Sequence, residues 1–125
     1  LHRRSDTEYL LLENRLGQGR DAALASSGLA IWHVDELGSN YDLTRAASGH
    51  AHAECRLLQA DGLDELDLGL DDGDGSDLFG AGTAQVFVPG TSMAAGWWDG
   101  SDAGLQIRDL RYEGEDLCFN VEISP

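Results

Sequence analysis

Two runs of strand length constrain the fold most: Glu8-Tyr9-Leu10-Leu11-Leu12-Glu13-Asn14-Arg15 and Gly28-Leu29-Ala30-Ile31-Trp32-His33-Val34-Asp35-Glu36. Each is apolar through its middle and ends in charge, so the two read as neighbouring strands that close over one core. The second run, Leu29 to Val34, does not alternate strictly between apolar and polar residues. That is the pattern of a strand covered on both faces, which places it centrally in its sheet.

The rest of the chain is arranged around this pair. Leu16 to Asp21 is a turn or loop, and Ala22 to Ala25 can make a short helical turn before Ser26-Ser27-Gly28. Leu37 to His50 is a long connection with no sustained period, able to carry a short helix around Asp42 to Ala47. Ala53 to Ala60 reads as a third strand stopped by the turn pair Asp61-Gly62, and Leu63 to Leu70 reads as a short helix or an acidic loop. Gln85 to Val88 is a short strand ended by Pro89-Gly90, and Thr91 to Gly104 is a loop carrying Trp97 and Trp98. Leu105 to Leu110 and Leu117 to Ile123 flank Tyr112 to Asp116 as the arms of a hairpin. Residues 117, 119, 121 and 123 alternate with polar neighbours, so one face of the last strand should meet solvent or a neighbouring domain. At least six strands with little helix predict an all-β fold over residues 1–125: a single antiparallel β-sandwich or barrel-like domain with long loops.

At 125 residues the chain is long enough to bury one core without an obligatory metal or disulfide. Its 23 acidic residues against 8 basic ones give a formal charge of −15, and that field opposes nucleic acid and anionic membrane as partners. No apolar run approaches the roughly 20 residues that cross a bilayer, and the first residues lack the apolar centre of a signal peptide. The chain starts at Leu1 and enters a strand pattern within several residues, which suggests a piece of a longer polypeptide. Cys55 and Cys118 stand 63 positions apart, excluding a cysteine zinc site. They form one disulfide if the chain is secreted, or remain two small buried thiols if it is not.

Chemistry-bearing residues fall in five places. In Asp71-Asp72-Gly73-Asp74-Gly75-Ser76-Asp77, the carboxylates of Asp71, Asp72, Asp74 and Asp77 supply oxygen ligands for a hard cation such as calcium, and Gly73 and Gly75 permit a sharp turn. The spacing is not that of an EF-hand, and a solvated acidic loop is the competing reading. His33 beside Asp35 and Glu36 can be a metal ligand, a general base or a hydrogen-bonded structural histidine, while His50 and His52 point to the same side of an extended segment and can hold a metal as a pair. Glu8 with Glu13, or Asp35 with Glu36, can in principle make a catalytic carboxylate pair, but no nucleophilic triad and no His-Glu-x-x-His motif is present. Trp97-Trp98 is either a platform for a carbohydrate or partner, or a cap on the core.

The order of motifs adds a resemblance. Glu8 to Arg15, Gly28 to Asp35, Leu57-Leu58-Gln59-Ala60-Asp61-Gly62 and the Gly/Asp loop into Leu78-Phe79-Gly80 resemble the region following the catalytic core in immune inhibitor A-type secreted metallopeptidases, over about Glu8 to Ile123. The resemblance implies a secreted zinc endopeptidase as parent, with zinc expected only in a catalytic domain upstream of this chain. It assigns no catalytic residue here. It further implies a β-rich segment that supports the catalytic domain of the same polypeptide, a protein substrate for the parent, and stabilisation by calcium. The alternative is an autonomous binding module for glycan, peptide or cation, using the Trp97-Trp98 loop or the acidic loop. The polar strand ends are expected to face the catalytic part, with Arg15 paired to Asp35 or Glu36.

Overall fold

The computed structural model describes residues 1–24, 26–80 and 96–124. The two founding runs form β2 (Glu8–Arg15) and β3 (Gly28–Asp35), paired antiparallel along their whole length from Glu8 opposite Asp35 to Arg15 opposite Gly28. A two-residue strand β1 (His2–Arg3) adds to the outer edge of β2, and a three-residue strand β4 (Cys55–Leu57) adds to β3, giving the order β1-β2-β3-β4. The expected third strand is thus trimmed to three residues. β1 lies ahead of the first strand expected from the sequence.

One four-residue helix, α1 (Glu65–Leu68), settles the ambiguous 63–70 segment as a single turn, and the 37–50 connection carries a 3-10 turn at Leu43–Arg45 capped by the Asp42 side chain. The short helical turn expected at Ala22 to Ala25 is found instead as a 3-10 turn at Gly19–Asp21, within the segment read as a turn or loop; residue 25 lies outside the described residues. β5 (Leu105–Glu113) and β6 (Asp116–Ile123) make the terminal hairpin as a second antiparallel sheet. The expected Gln85 to Val88 strand lies outside the described residues.

Side-chain alternation explains how the two sheets meet. Leu10 and Leu12 on β2 share a face with Leu29 and Ile31 on β3, and these pack with Phe79, Trp97, Ala103, Leu105, Ile107 and Leu110 in one apolar cluster. A strict alternation from Leu105 and Ile107 would turn Asp109 inward. Instead the register shifts between Arg108 and Arg111, with Asp109 at φ 55, and Leu110 takes the buried position. The bulge therefore corrects the sequence pattern by one residue. The opposite face of β3 is covered as well, because Ala30 packs with Leu57 and Leu78, and Trp32 and Leu66 close around them. Both faces of β3 are buried, as its continuous apolar run requires. Along β6, by contrast, the apolar positions reach the surface at Val121 and Ile123.

Backbone contact between β3 and the segment before residue 80 depends on Gly28. Leu29 and Phe79 exchange both backbone hydrogen bonds, at 2.8 and 3.1 Å, and a Cβ on Gly28 would stand 2.5 Å from the Phe79 carbonyl oxygen. Gly28→Ala is expected to destabilise the fold by about 1–3 kcal/mol through this clash, read as a lowered urea midpoint with an unchanged denaturant slope.

Candidate functional site

At one end of the β2–β3 hairpin the inward face changes from leucine to ionisable residues. The register that sets Leu12 opposite Ile31 sets Leu10 opposite His33 and Glu8 opposite Asp35, and alternation keeps all of them on the same face. Glu8, His33 and Asp35 are consequently buried, with Asp35 only 1% exposed and His33 fully enclosed. Buried polar groups of this kind need partners, and the loops supply them.

Glu8 is the hub of the first group. One oxygen accepts from His33 Nε2 at 3.0 Å and from the Trp98 backbone N–H at 2.9 Å, while the other accepts from Arg4 Nη1 at 2.9 Å. Burial pushes the His33 imidazole below its ordinary value, against the raising pull of the Glu8 hydrogen bond, so His33 is a neutral ring donating through Nε2. Its Nδ1 is buried with no hydrogen-bond partner among the described residues. Arg4 also pairs with Asp99, which ties the chain's beginning to the tryptophan loop.

Asp35 is the centre of the second group. His50 Nδ1 and His52 Nε2 both lie 2.7 Å from its Oδ2, and Oδ1 accepts the Leu37 backbone N–H at 3.1 Å. Burial alone would push this carboxyl up, but the bonds from His50, His52 and Leu37 outweigh it and hold its pKa below the ordinary carboxylate value. The loop from Glu36 to Glu54 makes the meeting possible, since Asp35 N–H bonds Glu54 O at its base and Ser39 N–H bonds His52 O across it. Gly38 sits where a Cβ would be 2.7 Å from the carbonyl oxygens of both His52 and Ala53. Asn40 completes the closure by exchanging two hydrogen bonds with the backbone of Cys55.

The two tryptophans are built into these groups. Trp97 is buried in the core cluster and stacks on His2 at 5.6 Å, so it caps the core. Trp98 is half-buried, with His33 stacked at 4.8 Å, His52 at 4.4 Å and the Arg56 guanidinium 4.6 Å from its ring centre.

The acidic loop forms a separate cluster. Ligand oxygens of Asp61, Asp74 and Asp77 lie within 4.8 Å of one another, as do those of Glu65, Asp71 and Asp74. Three of the four aspartates read from the sequence are therefore brought together, Asp72 stands exposed in neither group, and Asp61 and Glu65 join from the preceding turn and from α1. Asp77 is buried; its Oδ2 accepts the Asp74 N–H at 2.6 Å, and its Oδ1 has no hydrogen-bond partner among the described residues. Burial pushes the Asp77 carboxyl up, and the charges of Asp71, Asp74 and Asp61 push it further. The same loop walls a cleft of about 270 Å³ that also touches Arg15, Trp32 and Arg56.

Two sequence expectations are corrected. Arg15 does not pair with Asp35 or Glu36, because antiparallel pairing puts it at the other end of the hairpin, seven residues or about 23 Å away. Arg15 instead holds Glu13 at 3.2 Å and lies over Trp32, whose indole N–H also donates to Glu13. Glu8 and Glu13 do not form a carboxylate pair either, since five residues along a strand place them on opposite faces. Cys55 and Cys118 lie on different sheets as free thiols. The role of Asp35 as the acceptor for His50 and His52 escaped sequence reading, as did the recruitment of Asp61 and Glu65. The available signal was Gly38, whose place just after a strand end permits the close return of the loop.

No family model, no curated protein and no solved structure matches the chain.

Glu8→Ala should cost about 3–5 kcal/mol, because His33 Nε2 and the Trp98 N–H lose their buried acceptor, whereas Glu8→Gln keeps an oxygen for both and should cost markedly less in the same denaturation assay. A second expectation concerns Asp99, held at about 2 by Ser101 hydrogen bonds and by Arg4 against an ordinary value of 3.8. Its contribution to stability is fully present above pH 3.8 and is lost as pH falls through about 2. A carboxyl-detected NMR titration should place its midpoint in that window, and Ser101→Ala should move the midpoint upward.

Proposed function

We propose that this chain is the non-catalytic β-rich domain of a secreted, immune inhibitor A-like zinc metallopeptidase, supporting the catalytic domain of the same polypeptide and steadied by calcium in its acidic loop. The observation that carries the reading is the convergence of the four resembling stretches on one another. The first two are β2 and β3, the third runs from the end of β4 into the Asp61 turn, and the fourth bonds through Phe79 to Leu29 of β3. Most of the polar side chains at the Glu8 and Asp35 ends of β2 and β3 are engaged in internal hydrogen bonds, as suits a supporting role.

Calcium fits the residues present. Asp77 offers a buried oxygen with no partner among the described residues, and Asp61, Asp71, Asp74 and Glu65 bring further oxygens close by. Burial and then mutual repulsion push the Glu65 and Asp77 carboxyls up, an unfavourable arrangement that a bound divalent cation relieves. Imidazole and thiol ligands are absent from this cluster, which favours a hard cation over zinc.

The binding-module alternative is less favoured because Trp97 is spent in the core and Trp98 is already covered by His33, His52 and Arg56.

Two measurements test the proposal. The purified chain should leave casein intact; cleavage that a chelator abolishes, absent from a mock preparation, would overturn the non-catalytic role. Millimolar calcium should raise the melting temperature by on the order of 5–10 °C if the ion saturates a site of the folded state. Asp74→Ala should remove that rise, and an equal rise in the variant would exclude the acidic loop.

A further inference from the structure

We propose that Asp35, His50 and His52 form a second, chemically distinct metal site that takes a borderline divalent transition ion of the zinc class. The residue set is the first reason. Two imidazole nitrogens and one carboxylate oxygen lie within 4.8 Å of one another, and both nitrogens converge at 2.7 Å on the same oxygen atom. A tetrahedral zinc with ligands near 2.0–2.1 Å separates its ligand atoms by about 3.3 Å. Opening each nitrogen–oxygen distance by roughly half an ångström, within the reach of small side-chain rotations, creates that space. Calcium, which prefers six or more oxygens, is poorly served here.

The surroundings are the second reason. Asp35 is presented from the end of a regular strand, and its other oxygen is fixed by the Leu37 N–H. His52 is steadied by stacking on Trp98, and its backbone is held by Ser39 in a return that requires Gly38. These outer contacts orient the ligands before any ion arrives. The carboxylate is buried while the histidines are graded outward, His52 at 16% and His50 at 31% side-chain exposure, so an ion can enter from the His50 side. Three protein ligands leave one coordination position for water or an exogenous donor.

The site is independent of the acidic loop and of the parentage proposed above. No residue is shared between the two clusters, and His33, the neighbouring histidine on β3, is engaged by Glu8.

The test uses tag-free protein stripped with a chelator and titrated calorimetrically with Zn²⁺ alone, with Co²⁺ as a spectroscopic stand-in. The expected result is one saturable zinc equivalent per chain that survives Asp74→Ala, with cobalt giving the intense visible bands of a four-coordinate ion. His50→Ala, at the most exposed ligand and so the least damaging to the fold, should weaken zinc at least tenfold, and the His50→Ala/His52→Ala pair should abolish it while circular dichroism shows retained strand. Absence of zinc binding overturns the proposal. So does unchanged affinity in the double variant, or loss of zinc through Asp74→Ala rather than through the histidines.

Discussion

The antiparallel register of β2 and β3 is the constraint on which the rest depends. Fixing Glu8 opposite Asp35 and Leu12 opposite Ile31 puts leucine and isoleucine on the inward face at one end and glutamate, histidine and aspartate on the same face at the other. A slip of one residue would send every one of these side chains to the opposite face. The apolar half recruits the β5–β6 hairpin and Trp97 to form the core. The polar half obliges the loops to bring donors to buried oxygens, and so determines where Arg4, Trp98, His50 and His52 come to rest.

Two ways of handling buried acid follow from this. Around Glu8 and Asp35, the carboxylates are matched by histidine, arginine and backbone N–H donors, and the matching holds the Asp35 pKa low. Around Asp77 the neighbours are other acids, and the carboxyl is pushed up. In the first arrangement the carboxylates are met by donors, and around Asp35 the geometry is close to that of an imidazole metal site. The second lacks counter-charge, which is the condition a hard cation meets. A chain with a net charge of −15 thus divides its buried acids between Glu8 and Asp35, met by donors, and Asp77 in a cluster short of positive charge.

Much of the architecture was legible from local pattern. The spans of β2 and β3 and the existence of the terminal hairpin follow from apolar runs with polar ends, while β5 runs three residues past the expected Leu110 to Glu113 and tightens the turn; burial of β3 on both faces follows from its unbroken apolar stretch. The bulge at Asp109 was not legible, because alternation in the sequence gives no sign of an inserted residue until the core demands Leu110. The Arg15 pairing failed for a related reason. Strand ends that look equivalent in sequence are separated by the full length of the hairpin once the direction of pairing is fixed. Of the candidate site residues, the Asp71 to Asp77 loop announced itself by density of charge, whereas Asp61 arrives from a turn 13 positions before Asp74 with no spacing to betray it.

By itself the sequence determined the all-β class, the central place of β3, the two-strand nucleus and the location of the acidic loop. These are properties of period and composition, written within a few neighbouring residues. Only the tertiary structure decided which distant polar groups share a site: that His33 belongs to Glu8, that His50 and His52 belong to Asp35, and that Trp98 lies against both groups. The opening pair of strands carries that decision in physical terms. Its register buries acids that cannot stay unpartnered, and the partners come from wherever the loops can reach.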